Sequence, residues 1–342
     1  MNQQELRSLL DKFTNLTILV LGDYFLDRYL MVDSEIAETS LETGLEAHQV
    51  VEIRNSPGAA GTVTNNLKAL GVGKVIALGI IGNDGHGYDL EQRLLAKGVE
   101  TNNIIRTENR YTPTYTKPIQ TSTGTQMERL DVKNRTATPT ELETRVIERL
   151  ESLYDQADGI IVLDQAQEAD CGVVTSRVRA RLAELCAKND RPTLADSRSR
   201  LSEFTNTILK PNQDELAAVT REKEPTQAAK SLSLRTGRHV ILTRGPNGIT
   251  TSDGTSTWVI PGIPVPDPVD IVGAGDSVSA AVTSALAACA TLPEAALLGA
   301  IVSSITVQQI GTTGTASPDQ VLSRFADIYP AGFSPETCEV SI

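Results

Sequence analysis

The sequence predicts an α/β fold with a central, mostly parallel sheet and helices on both faces. Two observations carry this: short apolar, β-branched runs alternate with helical patterns along the 342 residues, and two β-type stretches interrupt the alternation without a helix between their strands. Residues 1–13 are polar and charged with Leu at helical spacing, and they lack the apolar core and cleavage site of a signal peptide. Thr17-Ile18-Leu19-Val20-Leu21-Gly22 reads as a buried strand ending at an acidic cluster, Asp23 to Asp27. Further buried strands are expected at 75–79, 159–163, 192–195 and 239–243, with helices at 62–70, 88–96, 141–153 and 173–187. Residues 29–53 and 111–131 form either a small sheet covering a site or ordinary surface hairpins. Without a repeat, low-complexity tract or linker, one domain spanning 1–342 is expected, with those two stretches as its lid.

Composition narrows the function. A hydrophobic content of 40% supports a large core. Against 43 Asp and Glu there are 31 Lys and Arg, and the net charge of -12 opposes general binding to nucleic acid or anionic membrane. An anionic substrate would need a local basic pocket. Cys171, Cys186, Cys289 and Cys338 are scattered without a C-x-x-C pair, and only 3 His residues accompany them, so neither a zinc site nor a disulfide framework is expected. Reduced thiols in a cytoplasmic protein fit better. No run is long and apolar enough to span a bilayer.

The chemistry concentrates at Asp270-Ile271-Val272-Gly273-Ala274-Gly275-Asp276, which follows a Pro-rich connection and leads into an apolar helix expected at 278–290. Glycines allow a tight turn, and unpaired N–H groups at a helix start, reinforced by its dipole, hold anionic oxygens such as those of a γ-phosphate. Asp276 would then accept the proton of an attacking hydroxyl. Taken alone, this turn reads equally as a helix-terminal carboxylate beside plain turn glycines. Lys210-Pro211-Asn212-Gln213-Asp214-Glu215 follows a strand at 207–209 and puts Asn212 and Glu215 on one helix face, suited either to organising magnesium through its waters or to capping the helix. Thr243-Arg244-Gly245-Pro246-Asn247-Gly248 allows close approach of phosphates and is also a credible hairpin turn.

In their order, these motifs resemble the ribokinase/PfkB family of carbohydrate kinases over about residues 16–322. The resemblance rests on Gly22-Asp23, Pro57-Gly58-Ala59-Ala60-Gly61, Gly79-x-x-Gly82-x-Asp84-x-x-Gly87, Asn212-x-x-Glu215, Thr243-x-Gly245-x-x-Gly248 and Gly273-Ala274-Gly275-Asp276. Within the family, Gly22 to Tyr29, Thr114-Tyr115-Thr116-Lys117 and Arg129-Leu130-Asp131 are most similar to the kinase domain of bacterial heptose 7-phosphate kinases. The length leaves no room for the nucleotidyltransferase domain fused to some of those kinases, so only phosphoryl transfer is expected.

The resemblance implies a three-layer sandwich with a β lid, ATP over the C-terminal half of the sheet and sugar between sheet and lid. It implies Asp276 as catalytic base, Gly273, Ala274 and Gly275 as anion hole, and Asn212 with Glu215 as the magnesium-organising pair. Thr243, Gly245 and Gly248 fall on the nucleotide side, and Asp23, Gly58, Ala59 and Thr62 on the sugar side. A potassium ion beside Asp270 is a further expectation, although Ile271-Val272 replaces the usual pair of threonines. Thr62 stands where the family carries an asparagine, and one hydroxyl replaces an amide's donor and acceptor. Residues 35–48 also depart from the heptose kinases' Pro-containing pattern.

Other polar residues keep two readings each. Arg28, Lys117 and Arg129 either hold a sugar-borne phosphate or pair with surface carboxylates. Asp27 binds a hydroxyl, pairs with Arg28 or caps a turn. Asp164 and Asp196 end strands on the ligand-binding side, touching substrate or capping helices. His86 reads as a loop residue, and Trp258 as packing beneath the nucleotide-side hairpin. The expected activity is therefore ATP-dependent phosphorylation of a sugar or sugar phosphate, in a protein able to form a homodimer through its lid edges. The alternatives are a nucleoside, hexose or vitamin-like alcohol kinase of the same fold, or a non-catalytic binding protein.

Overall fold

The structure, a computed structural model, describes residues 1–338. Its elements run α1 (Gln3–Lys12), β1 (Thr17–Gly22), β2 (Tyr24–Thr39), β3 (Glu46–Ala59), α2 (Ala60–Ala69), β4 (Lys74–Gly82), α3 (Gly85–Ala96), β5 (Ile104–Thr107), β6 (Thr114–Gln120), β7 (Leu130–Val132), α4 (Thr140–Tyr154) and β8 (Gly159–Asp164). They continue α5 (Ser176–Lys188), β9 (Thr193–Ser197), β10 (Ile208–Leu209), α6 (Gln213–Val219), α7 (Pro225–Thr236), β11 (Val240–Thr243), β12 (Ile249–Ser252), β13 (Thr257–Ile260), α8 (Ala274–Ala287), α9 (Leu292–Thr306), α10 (Pro318–Ile328) and β14 (Glu336–Cys338).

Strand β1 is apolar throughout because both its faces are covered. Ile18 and Val20 pack toward α1, α2, α8, α9 and α10, whereas Leu19 and Leu21 pack toward α4, α5 and α7. The main sheet has the order β14-β13-β12-β11-β10-β9-β8-β1-β4-β5. Its strands run parallel from β11 to β5, and β12, β13 and β14 extend it antiparallel. Connections leave β1 toward β4 on one side, while the later strands add from β8 on the other. That reversal opens a crevice at the C-terminal ends of β1 and β8, where such sheets bind ligands.

The two β-type stretches join in one sheet of order β3-β2-β6-β7. It reaches beyond 29–53 because β2 starts at Tyr24, directly after β1, and the buried Tyr24 and Leu26 root the ribbon in the core. Asp27 lies opposite Ser56 on β3 and beside Tyr115 on β6.

Four helix starts differ from expectation by two residues or more, α2 and α3 beginning earlier, at Ala60 and Gly85 in place of 62 and 88. Helix α5 begins at Ser176 because Thr175 caps it, accepting from Val178 N–H at 3.4 Å, while Val173 and Val174 are buried loop residues. Helix α8 begins at Ala274 and ends at Ala287, so Gly275 and Asp276 belong to its first turn. Trp258, on β13, is partly buried against the core as expected. Cys171, Cys186 and Cys289 are free thiols, and the side chain of Cys338 lies outside the described part of the chain.

Candidate active site

Helix α8 starts on Gly273, whose φ of 83° is left-handed and suits glycine, and no side chain caps it. In contrast, α6, α9 and α10 each start with a capping box. Ala274 N–H donates to the Ile271 carbonyl at 3.2 Å, and the N–H groups of Gly275 and Asp276, without a partner among the described residues, remain available to an anion. A Cβ on Gly273 would stand 3.2 Å from Thr62 Cγ2, so α2 closes directly over this turn.

Asp276 follows within that turn, with part of its surface open to the cleft. Burial pushes its pKa up to about 7, helped by the negative charge of Asp196 and by Asp27 on the lid, while Lys210 and Arg198 pull it down. A carboxyl poised there can take a hydroxyl proton near neutral pH.

Lys210, just after β10, is 4% exposed and pairs with Asp196 of β9 at 2.8 Å. Burial alone would lower its pKa, but the charge and hydrogen bond of Asp196 raise it, so the ammonium stays charged. A Cβ on Gly275 would lie 3.4 Å from its Nζ. Sequence reasoning gave Lys210 no role, although a lysine directly after an apolar strand and before Pro211 was the available signal. Arg198 was also missed. It is exposed at the end of β9, its Nε donates to Gln165 Oε1 at 3.1 Å, and its charge reaches Asp276, Glu215 and Tyr115 of the lid.

Asn212 and Glu215 form the capping box of α6. Asn212 Oδ1 accepts from Glu215 N–H at 2.8 Å, and Asn212 N–H donates to Glu215 Oε2 at 2.9 Å. Capping fixes the Glu215 side chain beside Asp196 and Lys210, and its pKa is raised by burial and by Asp196. Among the described residues, no three His, Cys, Asp or Glu side chains converge as a direct metal cage. The hard oxygens of Glu215 and Asp196 instead fit a hydrated magnesium ion held through its waters. Thr243 bridges to Asn212 across the strand ends, and the segment from Arg244 to Gly248 is the turn of the β11–β12 hairpin. A Cβ on Gly248 would overlap the Ile260 carbonyl, so that glycine serves close packing, whereas Gly245 faces open space. Asp270 ties two segments together, its carboxylate oxygens accepting N–H groups of Val272 and Gly311, each at 3.0 Å.

On the lid side, Asp27 pairs with Lys117 at 2.8 Å, and Lys117 Nζ lies 3.4 Å from the Tyr29 hydroxyl. A Cβ on Gly58 would come within 2.5 Å of Asp27 Oδ2, so glycine is what admits this carboxylate. Ala59 ends β3 at a φ of 53° and carries no cap bond. Gly58→Ala is expected to displace Asp27 and weaken acceptor binding more than nucleotide binding, read as separate KM values.

At several positions expected to touch ligand, the side chain holds protein partners. Asp23 is 4% exposed, and its carboxylate accepts N–H bonds from Gln165, Ala166 and Val173 at 2.8, 2.9 and 2.7 Å, so it clamps the loop after β8 rather than facing substrate. Asp164 is fully buried, bound by Arg200 Nε at 3.0 Å, by a second Arg200 nitrogen and by Ser197 Oγ at 2.7 Å. Those partners occupy it. Thr62 is buried with its hydroxyl 3.4 Å from the Pro57 carbonyl, so its methyl, not its hydroxyl, meets the α8 turn. Arg129 pairs with Asp131 at 2.8 Å over the Tyr115 ring, and Arg28 pairs with Asp89 at 3.5 Å beside His86. These two arginines follow the surface-pairing reading.

Comparison with known proteins bears on the family and the fold. The model of the pfkB family carbohydrate kinases matches residues 18–320. The bifunctional protein HldE of Geotalea uraniireducens is 29% identical over 343 residues, covering 96% of this chain and 67% of its own length. The chain spans about two thirds of the length of the curated relatives it matches. In fold, ribokinase from Thermotoga maritima superposes with a TM-score of 0.68 at 20% identity, over 91% of this chain and 99% of that one. Phosphofructokinase-2 from Escherichia coli in complex with potassium gives 0.70 at 20% identity, over 92% and 99%.

Proposed function

The chain belongs to the pfkB family of carbohydrate kinases, and from that premise we propose that it transfers the γ-phosphate of ATP to a hydroxyl of a sugar or sugar phosphate, heptose 7-phosphate being the first acceptor to test. The observation that carries this reading is Asp276, a carboxyl raised to about 7 beside an uncapped helix start. The acceptor lies between the lid and the crevice and its hydroxyl gives its proton to Asp276. The N–H groups of Gly273 and Gly275, and that of Ala274 once it leaves the Ile271 carbonyl, take up charge on the transferring phosphoryl group. ADP and a phosphorylated sugar leave. Asn212 and Glu215 would hold magnesium through its waters, and the ion would screen the phosphate charge; Thr243, Gly245 and Gly248 border the nucleotide. Potassium beside Asp270 would join the staple to Gly311, and exchange of potassium for a bulky organic cation in the same assay tests it.

Asp27 is the acceptor's anchor in this reading, set by Lys117 and facing Asp276 from the lid. Asp27→Asn is expected to raise the acceptor KM roughly 10- to 100-fold, the loss of one charge-assisted hydrogen bond, with the KM for ATP little changed. An unchanged acceptor KM would remove Asp27 from that role. A phosphorylated acceptor is favoured because Arg198 stands at the cleft without a carboxylate partner among the described residues. ADP release with heptose 7-phosphate, the unphosphorylated heptose, hexose 6-phosphates, ribose and a nucleoside ranks the acceptors. Preference for the unphosphorylated sugars would overturn the sugar-phosphate assignment.

Ile36, Val51, Ile53 and Leu130 are exposed on the lid sheet, and Leu45 in its β2–β3 turn, which supports a homodimer through that sheet, readable by sedimentation. No helix among the described residues is long and apolar enough to cross a membrane.

A further inference from the structure

We propose that Asp89 of α3 is a positioning residue that acts on Asp27 from the opposite face of the β2–β3 ribbon. This rests on the reading in which the acceptor lies between the four-stranded sheet and the crevice, and it adds a residue that touches no substrate. Successive side chains of a strand point to opposite faces. Asp27 and its register partner Ser56 lie on the face whose charge reaches Asp276, so Arg28 and Asn55, paired one residue farther along, lie on the other. One carboxylate oxygen of Asp89 holds that second pair together. Asn55 Nδ2 donates to Oδ2 at 3.0 Å, and Arg28 pairs with the same oxygen at 3.5 Å. His86, three residues earlier on α3, puts Nδ1 3.4 Å from the same Arg28 nitrogen.

A partly exposed ion pair adds little stability, and Arg28 and Asp89 keep 25% and 33% of their side-chain surface in solvent. The contact instead fixes geometry. Along β2, Tyr24 and Leu26 point into the core and Arg28 is the next residue on their face, so Asp89 takes hold where apolar packing ends. Strand β6 is tied to the same helix. Asp84, which caps α3 by accepting Gly87 N–H at 2.7 Å, also accepts Thr112 N–H at 2.9 Å, two residues before β6. Helix α3 therefore fastens β2, β3 and β6 to the body of the protein, and Asp89 is the residue that grips the two strands on either side of the Asp27 position. Freed from Asp89, the ribbon gains motion beyond Leu26, and Asp27 loses its fixed place opposite Asp276.

The test compares the wild type with Asp89→Ala, Asp89→Asn and Asn55→Ala by backbone hydrogen exchange and by steady-state kinetics with the best acceptor of the panel. Alanine is a better helix former than aspartate, so α3 is kept. Asp89→Ala should speed exchange in β2 and β3 and raise the acceptor KM roughly 3- to 30-fold, with the KM for ATP and the melting temperature near their wild-type values. Asp89→Asn keeps an oxygen for both donors and should recover most of the change. Asn55→Ala frees β3 alone, should speed exchange there more than in β2, and supplies the same readings should Asp89→Ala fail to fold. Wild-type exchange rates in the ribbon of Asp89→Ala overturn the proposal. Faster exchange with an unchanged acceptor KM overturns the link to Asp27, and a lower melting temperature with both KM values raised marks a merely structural contact. If the wild type phosphorylates no acceptor, the kinase reading falls, and the exchange comparison alone decides whether Asp89 holds the ribbon.

Discussion

Asp276→Asn is expected to slow phosphoryl transfer by about a hundredfold to ten-thousandfold while ATP still binds and the fold becomes more stable. The loss follows from removing the carboxylate proposed to accept the hydroxyl proton beside the α8 turn. The gain follows from the same burial that makes Asp276 a base. Its pKa is about 7 in the fold against an ordinary 3.8. Between those values the folded chain keeps a proton that the unfolded chain releases, so rising pH removes stability across that interval and the full deficit stands above pH 7. The amide does not titrate. Asp276→Asn should therefore be more stable than the wild type at pH 8 by about 1–3 kcal/mol, with the difference closing toward pH 4. Thermal denaturation at the two pH values checks this, and the wild-type kcat/KM for acceptor should fall as pH drops below 7. Substantial turnover by Asp276→Asn would remove Asp276 from the role of base.

Arg200→Met should destabilise the protein by about 3–5 kcal/mol, because it strands the Asp164 carboxylate in the core between β8 and β9. Arg200 holds both oxygens of Asp164 and also the carbonyls of Ala166 and Gln167, so one side chain fixes the whole loop after β8. Asp164→Asn combined with Arg200→Met should recover part of the loss, since no charge is then left buried without a partner. Urea denaturation of the three variants measures it. The acceptor KM of whatever enzyme remains folded should stay near the wild-type value. A raised KM with normal stability would return Asp164 to the substrate.

The contrast between Asp276 and Asp164 marks how far the sequence could be read. Strand β1 was legible to the residue because burial on both faces leaves an unbroken apolar run, and the strands of the second sheet were legible as β-type segments without a helix. The start of α8 was not. Gly273 and Gly275 have weak helix propensity and the apolar pattern begins only at Val278, while the helix itself begins at Ala274, directly after the left-handed Gly273. Asp23, Asp27 and Asp164 look alike in sequence, each an acidic residue at or near a strand end. What separates them is distant in the chain: N–H groups of residues 165, 166 and 173 for Asp23, Lys117 for Asp27, and Arg200 for Asp164. Lys210 was visible as a motif residue, but its burial depends on Asp196 from the neighbouring strand.

Transfer of labelled γ-phosphate from ATP, with magnesium, to a panel of sugars and sugar phosphates by the wild type and by Asp276→Asn tests the proposed activity most directly. The account predicts label in a sugar product with the wild type, one ADP formed for each, and almost none with the variant. Label appearing only as free phosphate, or equal transfer by the variant, would contradict it.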